Sequence, residues 1–339
     1  MSQKIILTGD RTSGSLHLGH YFGSLVNRKK YENEYETFIM AADVQTLTDN
    51  FENPEKVSKN VFETIADNLA LGLDLDKTTL FIQSQIPQIA ELTVFFSNLV
   101  TLNKLLRNPT IKTEIAQKKE LFGQDGESVN FGFIGYPVSQ AADILFLKAD
   151  VVQVGEDQLP VIEVCRDIAD RFNSIYGPVF PKPKAMLSEA PRIIGLDGKT
   201  KMSKSLGNAV FLKDSEEETI SKIKSAKTDS GSTIEYNPDI RPEISNLVML
   251  YALTNNISTD QAVEDLNGVN YGTFKMKLAE SINIHFREFR GRRAEIASNP
   301  KQILEILEKG REKVSKRAKK TLEDVRHAMH IDYENQFKS

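Results

Sequence analysis

The sequence predicts an α/β fold, a parallel doubly wound sheet followed by a largely helical C-terminal region. Three observations carry this expectation. Near the N-terminus, short apolar and partly β-branched runs alternate with segments of helical periodicity. The chain has 339 residues, 40% of them hydrophobic, which is too long for one typical core and implies two lobes. Beyond about Phe211 the spacing of apolar residues is mainly helical to the end.

The elements follow in order. Ile5 to Leu7 reads as a buried first strand, broken by a turn at Thr8-Gly9. Leu18, Tyr21, Phe22 and Leu25 recur at helical spacing, so a helix follows. Phe38 to Ala42 is a second strand, Val57 to Leu71 a helix stopped by Gly72, and Thr79 to Ile82 a third strand. From about Pro87 to Gly132 helical stretches interrupt the alternation, so this segment reads as an insertion, with Phe122 to Asn130 an exposed loop. Helices are expected over Val138 to Leu147 and Leu159 to Phe172, and a late strand over Ala190 to Leu196. Neither an internal repeat nor a low-complexity tract is present.

Composition excludes several classes. Charged residues make up 27% and the net charge is −4, ordinary for a soluble protein and unlike a DNA-coating one. Cys165 is the single cysteine, so no intrachain disulfide forms, and a small apolar role in a helix core is expected of it. No stretch approaches the roughly 20 apolar residues of a membrane span. The opening MSQKIILTGD lacks the blocks of a signal peptide, and a cytoplasmic setting is expected.

Two constellations carry chemistry. The first is Thr8-Gly9-Asp10-Arg11-Thr12-Ser13-Gly14 followed by His17-Leu18-Gly19-His20, between the first strand and its helix. A glycine-rich strand-to-helix turn lets a nucleotide approach the backbone, and a helix N-terminus favours phosphate charge. Histidines three apart share a helix face and can donate to phosphate oxygens. The bland alternative is a helix start with two incidental histidines; His-x-Gly-His alone arises by chance in about one such chain per hundred. The second is Lys201-Met202-Ser203-Lys204-Ser205, flanked by Gly198 and Gly207. Two lysines on a loop of this kind can close over a triphosphate and neutralise charge as pyrophosphate leaves. A solvated basic loop is the alternative, but this string arises by chance in on the order of one chain in ten thousand.

His17-Leu18-Gly19-His20 resembles the HIGH motif of class I aminoacyl-tRNA synthetases, and Lys201 to Ser205 is identical to their KMSKS motif. Thr8 to Tyr21, Phe81 to Gln85, Ala141 to Ile144, Gly155 to Gln158 and Ser225 to Asp229 resemble the tryptophanyl branch, so the likeness runs along nearly the whole chain. Arg11-Thr12 and His20 stand where many bacterial members have Gln-Pro and Asn, which is similar to a second bacterial subgroup. The resemblance implies a Rossmann-type catalytic domain over 1–210, a connective insertion at about 87–132 that pairs two subunits, and an α-helical anticodon-binding domain over 211–339. It implies ATP contacts from Arg11, Thr12, Ser13, Gly19, His20, Gly155, Glu156, Asp157, Ile193, Lys201, Met202, Ser203, Lys204 and Ser205. It also implies catalytic roles for His17, His20, Lys201 and Lys204.

The segment from Tyr136 to Asp143 concerns the second substrate. Pro137 suits a helix's first turn, and Tyr136, Gln140 and Asp143 fall on one helix face. A carboxylate on the inward face of an apolar helix needs a reason. The indole N–H, a donor only, supplies one, and the resemblance implies Asp143 as its acceptor. Tyr136 and Gln158 are expected to hold the ammonium of L-tryptophan, with Gln140 and Gly9 also lining the pocket. A structural carboxylate is the alternative for Asp143. A phenol is a donor too, so the tyrosyl branch is the runner-up, and a non-catalytic synthetase-like regulator is a third possibility against which both intact motifs count.

The expected reaction is attack of the tryptophan carboxylate on the ATP α-phosphate, then acyl transfer to tRNA(Trp). Mg2+ is expected to accompany the triphosphate, held by phosphate oxygens and water and not by a protein metal site. A homodimer is expected, and neither DNA nor a membrane as partner. Arg287, Arg290, Arg292, Arg293 and the stretch from Lys309 to Lys320 are candidates for tRNA phosphates.

Overall fold

The computed structural model describes residues 3–122, 129–187, 193–204 and 206–333, without the side chains of 117–122. Five parallel strands form one sheet in the order β3-β2-β1-β4-β5. They are β1 (Ile5–Arg11), β2 (Glu36–Ala42), β3 (Thr78–Ile82), β4 (Val151–Val154) and β5 (Lys184–Leu187). Between β1 and β2 the chain forms α1 (Leu18–His20), a π-helical turn over Tyr21–Leu25 and α2 (Val26–Tyr31). Then come α3 (Asp43–Asn50) and α4 (Pro54–Leu69). After β3 the insertion contributes α5 (Gln88–Ser97), α6 (Leu102–Arg107) and α7 (Pro109–Phe122), leading into α8 (Phe131–Leu145). Helix α9 (Leu159–Tyr176) joins β4 to β5. The helical region holds α10 (Glu216–Ser225), α11 (Pro242–Asn255), α12 (Thr259–Asp265), α13 (Tyr271–Ser298) and α14 (Pro300–Ala328).

Strand alternation assigns the two faces. Phe38, Met40 and Ala42 of β2 enter one core with Leu7, Phe81 and residues of α5, α8 and α9. Ile39 and Ala41 enter the opposite core with Ile65, Ala66 and Leu69 of α4. Both faces are therefore covered, as a parallel sheet requires. A third core joins Leu18, Phe22 and Leu25 to the helices α10 to α13. Helix α14 returns to the sheet: Ile303 and Leu307 pack in the α4 core, and Val314, Ala318, Leu322 and Val325 in the α5/α8/α9 core. Gly310 makes this approach possible, because a Cβ there would lie 1.9 Å from the Leu80 carbonyl oxygen.

Several expectations are corrected. The first strand does not turn at Thr8-Gly9. It runs on to Arg11, since Gly9 and Asp10 pair in register with Met40 and Ala41, and ladder pairing outweighs glycine's local freedom. The sharp turn comes at Gly14, with φ 147°. Helix α8 begins at Phe131, not Val138, because the Asn130 side chain accepts the Phe133 N–H at 2.8 Å and caps it. Pro137 is thus inside the helix, not in its first turn. Of the expected late strand, residues 190–192 lie outside the described residues, and Ile194 makes only an isolated bridge with Lys201. The Asn246 side chain takes up both Ile194 backbone groups, which leaves none for a ladder. The strands β4 and β5, each four residues, went unread. Of the expected loop from Phe122 to Asn130, residues 123–128 also lie outside the described ones.

Candidate active site

The C-terminal ends of β1 to β4 open on one edge, and the sheet order reverses between β1's neighbours β2 and β4. Such a switch point leaves a crevice for ligands. The segment from Arg11 to His20 lines it from β1. The Thr12 N–H is held by the buried Thr46 hydroxyl at 2.9 Å, and Arg11 pairs with Asp49 at 2.5 Å. Leu16 donates its N–H to Asp67 on α4 at 3.1 Å, and Leu18 donates to the Val210 carbonyl at 3.0 Å. The turn is therefore pinned on both sides of His17.

The His17 and His20 rings lie against each other, tilted by 47° with centroids 3.8 Å apart. His20 Nδ1 accepts the His17 N–H at 3.3 Å, so its proton sits on Nε2 and points away as a donor. His17 Nδ1 is buried with no partner among the described residues. Burial, then His20 and the two lysines of the loop, lowers the His17 pKa to about 2. Burial and Lys204 lower that of His20 to about 3. Both rings are neutral near pH 7. Gly19 sits tightly against the pair, with a Cβ there 3.0 Å from the His17 ring.

The loop after Ile193 faces this turn. Lys204 Nζ donates to the Gly14 carbonyl at 2.5 Å, and its pKa is drawn down to about 8 by burial, with Asp10 and Asp67 opposing. Lys201 is exposed, its ammonium 3.9 Å from Asp157. Met202 and Ile193 are buried and anchor the loop in the third core. Asn208 accepts the Ser203 N–H at 2.9 Å and donates to Asp197 at 2.9 Å. Ser205 lies outside the described residues. After β4, Gly155 precedes exposed Glu156 and Asp157, and a Cβ on Gly155 would lie 2.6 Å from Asp157 Oδ1. Thr110 of α7 donates to the Asp157 carbonyl at 2.8 Å, so the insertion supports this turn.

Across the crevice, α8 presents Tyr136, Gln140 and Asp143. Asp143 is 2% exposed, and burial raises its pKa to about 7 with the Asp43 carboxylate adding to the rise. Burial and the neighbouring Glu114 carboxylate of α7 push the Tyr136 phenol up. Gln140 and Gln158 are half-buried, and Gly9 is exposed at the end of β1. Among the described residues no three His, Cys, Asp or Glu side chains converge to hold a metal ion. Cys165 is fully buried in α9.

A model of class I tRNA synthetases (W and Y) matches residues 2–287. The tryptophan–tRNA ligase of Clostridium longisporum is 42% identical over 346 residues, covering 99% of this chain and 99% of its own. The chain belongs to the tryptophanyl branch of the class I aminoacyl-tRNA synthetases. The corresponding ligase of Treponema pallidum is 39% identical and covers 96% of each chain. Among solved structures of this synthetase family, that from Campylobacter jejuni, complexed with ADP and tryptophan, superposes with a TM-score of 0.83 at 29% identity over 96% of this chain and 99% of its own. A tyrosyl-tRNA synthetase from Archaeoglobus fulgidus, at TM-score 0.64 and 20% identity, shares the fold alone over 86% of this chain and 90% of its own.

Sequence reasoning missed several residues of the synthetase site. Arg28, 1% exposed, donates to both Asp10 oxygens at 2.7 Å and braces β1 below the nucleotide turn. Burial alone would push the Asp10 carboxyl up, but Arg28 and Asn68 outweigh it and hold it below the ordinary range. Arg28 continues the stripe of Leu18, Phe22 and Leu25, the one available signal. Gln83, beside Asp143, lies in the Phe81 to Gln85 segment of the resemblance, but nothing in its spacing pointed to Asp143. Of the C-terminal arginines, Arg293 pairs with Asp67 and Glu63, and Arg290 and Arg292 bond to the Leu212 and Ala70 carbonyls. For Arg293 the buried acceptor is Asp67 on α4. Arg287 stays exposed.

Proposed function

We propose that this synthetase activates L-tryptophan with ATP, forming tryptophanyl-adenylate and pyrophosphate, and transfers the acyl group to tRNA(Trp). The single observation that carries the reading is the facing of the paired His17 and His20 rings by Lys204 across the crevice mouth, with the buried Asp143 on α8. Phosphoryl chemistry asks the protein mainly for position and charge. His20 Nε2–H and a ring N–H of His17 would donate to phosphate oxygens. Lys204 would exchange the Gly14 carbonyl for the departing pyrophosphate, with Lys201 beside it. Arg11, Thr12, Ser13, Gly19, Gly155, Glu156, Asp157, Ile193, Met202, Ser203 and Ser205 would frame the nucleotide. Asp143 would accept the indole N–H, with Tyr136, Gln140, Gln158 and Gly9 around the ligand. Mg2+ would come with the triphosphate and hold its oxygens in place.

The catalytic unit would comprise 1–210 and the tRNA-binding region 211–339, working in the cytoplasm as a homodimer. In the insertion Leu92, Phe96 and Leu99 belong to the chain's own core, whereas Val94 (62%), Leu102 (57%) and Phe131 (83%) are exposed. These apolar side chains would form the pairing surface, and sedimentation of a 38 kDa species at micromolar concentration would remove it. The function itself is tested by ATP–pyrophosphate exchange with each of the twenty amino acids. Tryptophan alone is expected to stimulate exchange; stimulation by tyrosine instead would overturn the assignment.

A further inference from the structure

Gln83 opens the short turn after β3 and is 2% exposed. Its amide is held at both ends. Oε1 accepts the Gln45 N–H at 3.0 Å. Nε2 donates to both oxygens of Asp143, at 2.8 and 2.9 Å. The next residue is tied down as well, because the Ser84 N–H donates to Asp43 Oδ1 at 3.0 Å. Helix α3 therefore grips the turn through Gln45 and Asp43.

The amide cannot turn over. A flip would set the Gln83 NH2 against the Gln45 N–H and its oxygen against a carboxylate, two like-with-like contacts in a buried place. The orientation is thus dictated by a backbone group that no ligand can change. We propose that Gln83 is a specificity-positioning residue, whose locked amide holds Asp143 as a hydrogen-bond acceptor and so selects a substrate ring that brings a donor. The inference rests on the assignment of Asp143 as the indole acceptor.

The surroundings explain why such a device is needed. Asp143 is buried beside Asp43 of α3, and burial and that carboxylate both favour its neutral acid. A neutral Asp143 would carry an O–H and could equally serve a ring with an acceptor. Among these neighbours Gln83 is the group that favours the ionised form. Removing the donor loosens discrimination, whereas removing Asp143 abolishes it.

The test compares tryptophan with its benzothiophene analogue, in which sulfur replaces the indole N–H, by calorimetry on the full-length protein. Gln83→Met is expected to weaken tryptophan about tenfold, the loss of one charge-assisted hydrogen bond, and the analogue by less than about twofold. The pH at which tryptophan binding is half lost should also move upward in this variant. Gln83→Glu keeps the acceptor for Gln45 and provides the same test should the methionine variant not melt cooperatively. There the sign reverses: tryptophan binds more weakly at about pH 8.5 than at about pH 7, because two adjacent carboxylates need a shared proton. Equal loss of both ligands in folded Gln83 variants would overturn the proposal. An Asp143→Ala control separates the two levels. If Asp143→Ala weakens tryptophan more than the analogue and Gln83→Met does not, the Gln83 role alone falls; if Asp143→Ala weakens both ligands equally, the indole-acceptor assignment falls with it.

Discussion

At the nucleotide end of the crevice burial draws protons off cations, and at the amino-acid end it adds them to acids. His17, His20 and Lys204 are lowered to about 2, 3 and 8. Asp143 is raised to about 7, and Glu114 and Tyr136 are raised with it. The same cause, loss of contact with water, has opposite chemical results because the groups carry opposite charge when ionised. Burial thus weakens the charged form of these groups at both ends, and a ligand of opposite charge or a hydrogen-bond donor restores it. The ends differ also in mobility of design. Asp143 is clamped by Gln83, whereas among the described residues Lys204 Nζ rests on the Gly14 carbonyl.

The largest expected effect tests the nucleotide end. Lys204→Ala should cost about 2–4 kcal/mol in the activation barrier, the scale of a lost oxyanion donor, and leave the tryptophan Kd unchanged. Single-turnover kinetics beside equilibrium binding would read this. A normal rate with weakened tryptophan binding would erase the distinction between the two ends.

Next, Asp143→Ala should weaken tryptophan by about 1–3 kcal/mol, stranding an indole N–H in an apolar place, without altering ATP affinity. The chain contains no Trp, so ligand fluorescence is read without a protein indole background. An equal loss of ATP affinity would mean that the substitution damages the fold and not one end.

The pH dependence sharpens the contrast. The Asp143 pKa is raised to about 7, so its acceptor form prevails above that pH. Tryptophan affinity should decline through pH 7 on acidification, by up to about tenfold per pH unit for one essential ionisation. The benzothiophene analogue should show a flat profile. His17 and His20, already neutral, should add no titration between pH 5 and 8 to the nucleotide end.

The smallest effect concerns the rest position of the loop. Lys201 and Asp157 are both exposed and 3.9 Å apart. Asp157→Asn should change the unfolding free energy of the empty protein by no more than about 0.5 kcal/mol, as expected of a surface pair. A large drop in a urea titration would show the loop to be locked, like the pocket.

Local sequence alone determined a good deal. The strand cores at Ile5 to Leu7, Phe38 to Ala42 and Thr79 to Ile82, and the helices around Val57 to Leu71 and Leu159 to Phe172, were legible because periodicity and glycine stops act over a few residues. The motif strings at His17 to His20 and Lys201 to Ser205 named the family, because several chemically demanding residues at fixed spacing rarely arise by chance. Tertiary structure decided what depends on partners far along the chain. Strand β1 passes through Gly9 since β2 lies beside it, and β4 is a strand because β1 and β5 flank it. Arg28 and Arg293 became braces because Asp10 and Asp67 lie 18 and 226 residues away in sequence but beside them in the fold. Gln83 acquired a role only when the fold set it between Gln45 and Asp143. A buried hydrogen bond is satisfied by geometry in space, and sequence spacing carries no record of which distant donor will meet which acceptor.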